Sequence, residues 1–390
     1  MNALIIGAGI GGLATAWHLH RAGRRVLVVD GAARAGGVIG TSVHDACVCE
    51  HGPDSILSTK PAGLALIDAL GLSDRLQSTS PDARSSLIAR GNRLIPVPDG
   101  LYLLAPAKLW PFLRSPLLSW PGKLRAAADL WLPRRSDPAE ESLAQFVRRR
   151  LGREALERIA QPLIGGIYTA DPEQLSLAAT MPQFLDLERE HRSVILGLRA
   201  RARQQTASAQ ARGPRYGLFV TLRGGLQVLI DALTAALPAD ALRLGVRAVH
   251  ATRSDDAWNV RLADSSVLRA PHLAVCTQAN HAADLIDDAA LAADLRAVPY
   301  AGVATVSLAY AADAVPALPA AAGFVVPAVE RRTLVACTFA HRKYAGRAPD
   351  GTVLLRAFVG GALHPAALDL DDATLIARIR ADLAELCGIR

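Results

Sequence analysis

The stretch Leu4-Ile5-Ile6-Gly7-Ala8-Gly9-Ile10-Gly11-Gly12-Leu13 reads as a buried strand, a glycine turn and the start of a helix. Leu4 to Ile6 is a short apolar run, Gly7, Gly9 and Gly12 match G-x-G-x-x-G, and Leu13 to His20 continues as a helix towards a turn at Gly23. A dinucleotide site needs that order. The first glycine makes the tight turn, the second lets backbone approach a diphosphate, and the third lets helix lie close on strand, so that the helix N-terminus faces the phosphates. Backbone from Gly7 through Ala8, Gly9, Ile10, Gly11 and Gly12 is therefore the candidate cradle. A second strand, Arg25 to Val29, ends in Asp30, about 20 residues beyond the glycines, where a carboxylate accepts from ribose hydroxyls. Plain packing explains a lone G-x-G-x-x-G equally well, so the flanks have to decide.

With 390 residues and 51% hydrophobic composition, the chain has room for two or three domains with cores of their own. Cys47, Cys49, Cys276, Cys337 and Cys387 include one close pair, and C-x-C alone lacks the repeated spacing of a metal site, so reduced thiols of a cytosolic protein are expected and no metal. No export signal is legible before the first strand, so none is expected, and no apolar run reaches the roughly 20 residues that span a bilayer. The net charge of +7 suits an anionic partner. Its arginines are scattered through apolar helical segments, and no nucleic-acid fold motif is legible, so nucleic acid is not expected. Anionic lipid or a polycarboxylate substrate fits better, and solubility is the plain alternative.

After Asp30 the chain continues Gly31-Ala32-Ala33-Arg34-Ala35-Gly36-Gly37-Val38-Ile39-Gly40-Thr41, an Arg-x-Gly-Gly turn for which a nicotinamide-binding unit gives no reason. This extension resembles the fingerprint of the amine oxidase and protoporphyrinogen oxidase group of flavoproteins. The resemblance implies FAD in place of NAD, with Asp30, Gly31, Arg34, Gly36, Gly37 and Val38 beside it. The run Glu50 to Leu57, followed by a helix from Ala62 to Ala69 capped by Ser58 or Thr59, is similar to the segment of protoporphyrinogen oxidases that passes under the flavin. It implies that Gly52, Pro53, Asp54 and Ser55 contact FAD, and that the Val246 backbone meets the adenine. Eukaryotic members carry an arginine for a substrate propionate where this chain has Asp54, as the bacterial type does.

Residues 101 to 135 carry Trp110, Trp120 and Trp131, and six basic side chains stand there against the single Asp129. Such a stretch lies in a membrane interface or packs an internal helical subdomain; it cannot cross. In the family the helical domain docks on the bilayer. A helix follows from Ser142, its N-cap candidate, to Arg158. The phrase Gly166 to Ser176, behind the pair Gly165-Gly166, is the most specific match to protoporphyrinogen oxidases and implies that the Gly166 carbonyl faces a pyrrole N–H. Residues 199 to 215 read as a mobile crossover. A helix from Leu226 to Leu237, β segments at 242–249, 258–262 and 268–276, and strands at 303–309, 324–326, 334–339 and 353–358 follow. Val326 and Phe358 fall where the family sandwiches a tetrapyrrole, although apolar strand residues are more often core. The last segment, with Leu375, Ile376, Ile379, Leu383 and Leu386 at helical steps, lacks the glycine-containing continuation that closes over the flavin in the family. Either the sequence is a piece of a longer protein or binding is compromised as written, and FAD is expected to bind this chain more weakly than a version carrying that segment.

The expected fold is α/β: a Rossmann-type FAD-binding domain (1–80, 213–285, 365–390), a helical membrane-associated domain for substrate entry (81–205) and an antiparallel-sheet substrate domain (286–364). The implied activity is FAD-dependent oxidation of protoporphyrinogen IX by dioxygen in haem biosynthesis, at the inner face of the cell membrane, with a homodimer allowed. No general base is nominated, because the flavin carries the hard step. Coproporphyrinogen III is the rival substrate. An amine oxidase or desaturase, which shares 4–41 but not the phrase around Tyr168, and a flavin-free scaffold are the readings from other classes.

Overall fold

A computed structural model of the chain describes residues 1–83, 85–102, 104–137, 139–209 and 219–389, the side chains of 204–209 apart. Two compact units are present, Met1–Ser78 with Tyr216–Tyr300, and Thr79–Arg215 with Ala301–Arg390.

The first unit is built on a parallel sheet in the order Leu242–Arg243, Val26–Val29, Ala3–Ile6, His272–Val275. All four residues of Ala3–Ile6 are buried, as an all-parallel strand covered on both faces requires. Successive side chains alternate between layers: Ile5 joins Leu13, Ala16 and Trp17 of the helix Ile10–Arg21, while Leu4 and Ile6 join Ala248, Val260 and Leu262. The latter belong to an antiparallel sheet of Ala248–Ser254, Ala257–Leu262 and Val267–Ala270. The hairpin Thr41–His44 with Cys47–Glu50, the helices Pro61–Ala69, Gln227–Ala235 and Ala289–Ala297, and a sheet of Ile56–Leu57, Phe219–Leu222 and Leu76–Ser78 also belong to this unit.

Several expectations need correction here. Neither Ser58 nor Thr59 caps the helix Pro61–Ala69; Lys60 is its N-cap without a side-chain bond, and proline at the first position already lacks one of the amides a cap would satisfy. The segment 242–249 is two strands, because Gly245 turns the chain at φ +76. Segment 268–276 also divides, at Pro271, whose missing N–H interrupts a ladder. Residues up to Tyr300, assigned in part to the substrate sheet, lie in this first unit.

The second unit holds a six-stranded sheet in the order Val303–Ala311, Thr352–Gly360, Ala336–Phe339, Gly323–Val325, Leu87–Arg90, Arg93–Pro96. Pairing is antiparallel except between Gly323–Val325 and Leu87–Arg90. One face packs on the helix Asp372–Cys387 through Val353, Leu355, Ala357 and Val359 against Leu375, Ile379, Leu383 and Leu386. The stretch 365–390 thus belongs to the sheet's core and not to the nucleotide-binding unit, because its apolar stripe is matched by that face. The strands of 87–96, expected in the helical domain, likewise extend this sheet.

A helical core surrounds Phe146, Val147, Ile159, Phe184 and Leu187. Ser142 caps Leu143–Arg150 in a full capping box with Gln145. The expected single helix to Arg158 breaks at Gly152, φ +93, where an added Cβ would lie 2.5 Å from the Arg125 side chain. The chain resumes through a π turn, Leu156–Ala160, into Gln161–Tyr168. The expected crossover begins inside a helix, Val194–Ala209, and residues 210–215 lie outside the described residues. Among the described residues no helix is long and apolar enough to cross a membrane.

Candidate flavin cradle and substrate face

At the end of Ala3–Ile6, Gly7 adopts φ +105, a conformation that side chains rarely take. The turn brings Gly12 under it so closely that a Cβ on Gly12 would lie 1.8 Å from the Gly7 carbonyl oxygen. Gly9 and Gly11 are different: a Cβ on either meets nothing within 4 Å. Gly9 is the N-cap of Ile10–Arg21 and no side chain caps that end, which leaves first-turn amides and the positive end of the helix dipole facing open space. Backbone donors, dipole and a clearing without side chains are what a dinucleotide diphosphate requires, so the residues present fit one.

The Arg-x-Gly-Gly turn is docked on this cradle by backbone. Gly36 donates to the Ala8 carbonyl at 2.8 Å, and an added Cβ on Gly37 would meet the Gly9 Cα at 3.1 Å. Arg34 turns inward, donating to the carbonyls of Ile39 at 2.8 Å, Gly37 at 2.9 Å and Ala35 at 3.2 Å. Its guanidinium thereby shapes the turn. Gly31 lies against the Arg247 stem, and Val38 is 69% exposed. Gly52 permits another close crossing, since its Cβ would lie 1.9 Å from the Val38 carbonyl oxygen. Beyond Pro53, Ser55 donates to Asp54. Val246 donates its amide to the Asp30 carbonyl at 3.1 Å, so this backbone does sit beside the cradle.

One carboxylate that supports the cradle's surroundings was legible only as part of a strand. Buried Glu50 accepts from the Thr41 hydroxyl at 2.5 Å and from the Leu226 amide at 3.0 Å, while Thr41 Oγ1 accepts from the Gln227 amide at 3.1 Å. Together they cap the helix Gln227–Ala235 and tie it to the hairpin that leads to Gly52. A Glu closing a strand just before Gly-Pro is the signal that could have found it.

In the second unit, alternation along Thr352–Gly360 turns Leu354, Arg356 and Phe358 away from the terminal helix. Register places Phe358 beside Ala336 and Thr305, and Ala336 beside Val325. The Arg356 guanidinium stacks 4.7 Å from the Phe358 ring centre. Gly166 lies over the same face, its added Cβ 3.3 Å from the Val325 side chain. Val326 does not share that face: it is 3% exposed in the core with the terminal helix, whereas Val325 lies on it. A one-residue step along a strand reverses the side, and composition cannot tell two adjacent valines apart. The helix Gln161–Tyr168 stops at Thr169, which turns left-handed at φ +50. Among the described residues none donates to the Gly166 carbonyl, so it remains an open acceptor in the last turn.

Among the described residues no group of His, Cys, Asp or Glu is arranged to hold a metal. Three thiols are not primed as nucleophiles: burial raises Cys47 and Cys337, and carries Cys387 to about 12.

The model of the flavin containing amine oxidoreductase family matches residues 10–390. A coproporphyrinogen III oxidase of Propionibacterium freudenreichii is 36% identical over all of this chain and 78% of its own length. The enzyme of that name from Bacillus subtilis is 33% identical over all of this chain and 83% of its own. A crystal structure of an Exiguobacterium protein assigned as a protoporphyrinogen oxidase superposes with a TM-score of 0.87 at 28% identity, over 99% of this chain and 83% of that one. Cradle, sheet and family model agree over nearly the whole sequence, and the chain belongs to the flavin containing amine oxidoreductases.

Proposed function

We propose that the chain oxidises a porphyrinogen to the porphyrin in haem biosynthesis. FAD is its cofactor, held in this reading by the backbone of Gly7 to Gly12, the docked turn Gly36 to Val38, and Gly31, Gly52, Pro53, Asp54, Ser55 and Val246. Bound flavin supplies the hydride acceptance and the passage of electrons to dioxygen. What the chain itself contributes is orientation. The observation that carries the reading is the open Gly166 carbonyl above a sheet face bearing Val325 and Phe358. An acceptor fixed at a helix end orients a pyrrole N–H, and the apolar row beside it gives a flat macrocycle a dry wall.

Protoporphyrinogen IX was the substrate implied first. The names of the two bacterial relatives described above favour coproporphyrinogen III, and we place it first here. Adding each porphyrinogen anaerobically to the purified flavoprotein and following flavin absorbance tests both. Bleaching by coproporphyrinogen III at least about tenfold faster than by protoporphyrinogen IX is expected, about 1.4 kcal/mol in barrier. Bleaching by a polyamine and by neither porphyrinogen would overturn the reading in favour of an amine oxidase.

Peripheral contact with the inner leaflet is part of the proposal. Trp110, Trp120 and Trp131 are 64%, 67% and 72% exposed, so they do not pack an internal subdomain. The Arg114 guanidinium lies 4.7 Å from the Trp110 ring centre, a pairing suited to head-group depth. Lys123 donates to the Leu113 carbonyl at 2.8 Å, Arg125 to the carbonyls of Arg148, Arg149 and Arg150, and Arg134 to that of Glu190, so the exposed Lys108 and Arg114 are the cations assigned here to lipid.

A further inference from the structure

We propose that Asp30 is a positioning residue that holds the glycine turn in its dinucleotide-ready shape before the cofactor arrives. Its place after the second strand assigns this carboxylate to the ribose, yet it is already engaged within the protein. Oδ2 accepts from the Ala8 amide at 2.6 Å and Oδ1 from the Ala32 amide at 2.7 Å. The Asp30 amide donates to the Arg243 carbonyl, and its carbonyl accepts from Val246, both at 3.1 Å. Ala8 is the residue between the first two glycines of the turn, and its own carbonyl accepts from Gly36 at 2.8 Å.

The consequence is a division of labour. With both its backbone groups committed, Ala8 offers nothing to a phosphate, and the anion falls to the amides at the start of Ile10–Arg21. One side chain meanwhile ties two segments, the turn at Ala8 and the loop at Ala32, to the end of the strand Val26–Val29. A carboxylate retains lone pairs for a ribose hydroxyl after accepting two N–H groups, so both roles coexist. A side-chain amide in its place has a single oxygen. Whichever way an asparagine at this position were turned, its NH2 would face either the Ala8 or the Ala32 donor, and one arm of the clamp would open. Sterically Asp30→Asn is nearly silent, which makes it the sharp probe.

The test uses the 390-residue protein, parent, D30N and D30E, with and without FAD and without any substrate, so its failure leaves the porphyrinogen reading untouched. Amide hydrogen exchange across residues 4–13 is measured alongside FAD affinity from flavin fluorescence. Loss of one charge-assisted bond should speed exchange there by about 10- to 100-fold in flavin-free D30N and weaken FAD by a similar factor. D30E keeps the charge and a ribose acceptor but carries its oxygens about 1.5 Å further out. It should likewise speed exchange, and it decides the matter should D30N fail to fold. Parent-like exchange in the variants with weakened FAD would make Asp30 a ribose ligand only. Parent-like exchange and parent-like affinity would leave it no part in the site, and either result overturns the proposal.

Discussion

Between Gly12 and Gly7 there is no room for a single methyl group, whose carbon would stand 1.8 Å from a backbone oxygen, whereas one residue away Gly11 has none of the described atoms within 4 Å of the same position. Two neighbouring glycines are thus constrained by different things. Gly12→Ala must push helix from strand, and overpacking of this kind costs about 1 to 3 kcal/mol or more. The variant should melt earlier and purify without yellow colour. Gly11→Ala should melt at least as high as the parent, since alanine gains up to about 1 kcal/mol over glycine in a helix. Its flavin content should nevertheless fall, because the methyl enters the clearing assigned to the diphosphate. Parent-like flavin occupancy in Gly11→Ala, read from the ratio of visible to ultraviolet absorbance, would move the diphosphate elsewhere.

The ion pair of Arg150 and Asp129 is fully buried at 2.5 Å, and neither partner serves it alone. Arg150 also donates to the carbonyls of Asp129 and Pro133 at 2.9 Å and of Arg192 at 2.7 Å, while Asp129 accepts from the Ser193 hydroxyl and the Ile195 amide. Removing one charge of a buried pair costs about 3 to 5 kcal/mol, and Arg150→Met should lose that much in urea unfolding. Pairing it with Asp129→Leu should not restore parental stability. The buried Asp129 carbonyl would lose its donor and the buried Ile195 amide its acceptor, each at about 1 to 3 kcal/mol. Full recovery in the double variant would show those backbone bonds to be dispensable.

Acid should loosen the same helical region through Glu188. Burial by itself would raise this carboxyl, but hydrogen bonds and charge from Arg149, the Arg135 amide and the charge of Arg150 together hold it below its ordinary value. A depressed carboxyl contributes stability that is complete above its unfolded value, about 4.3, and is lost as pH falls through the lower folded one. The parent should therefore lose stability below about pH 4 more steeply than Glu188→Gln, whose curve starts lower and runs flatter. Parallel curves for the two proteins between about pH 5 and about pH 2.5 would remove Glu188 from the acid response.

Legibility in the sequence followed the range of the interactions. Gly7 to Gly12, Asp30 and the Arg34 turn could be read because their constraints are local: φ signs, close crossings and strand ends within a few residues. Ser142 with Gln145 was local too. What could not be read depends on partners far along the chain. Val325 and Val326 differ only in which layer the sheet turns towards them, and that is set by the terminal helix Asp372–Cys387. Glu50 finds a donor at Leu226, far along the chain, and the carbonyls that Arg34 meets at Gly37 and Ile39 are set by the path of the turn and not by composition. The tryptophans stood undecided for the same reason, since amphipathic spacing does not state which side is covered.

With their exposure known, the tryptophans give the prediction on which the peripheral-membrane part of the proposal stands. An indole at head-group depth and a nearby cation contribute separately, the first through apolar burial and the second through attraction to anionic lipid at about 1 kcal/mol per charge. Sedimentation with vesicles containing anionic lipid should pull down the parent at low salt and release part of it at high salt, as screening shortens the reach of Arg114 and Lys108. Trp120→Ala and Trp131→Ala, both at well-exposed positions and so cheap for the fold, should lower binding to anionic vesicles without changing the salt response. Arg114→Gln should do the opposite, flattening the salt dependence while leaving the salt-resistant fraction in place. Parent protein that stays in the supernatant with both anionic and neutral vesicles, its flavin bound and its melting point normal, would show that these rings face water for a reason other than a bilayer.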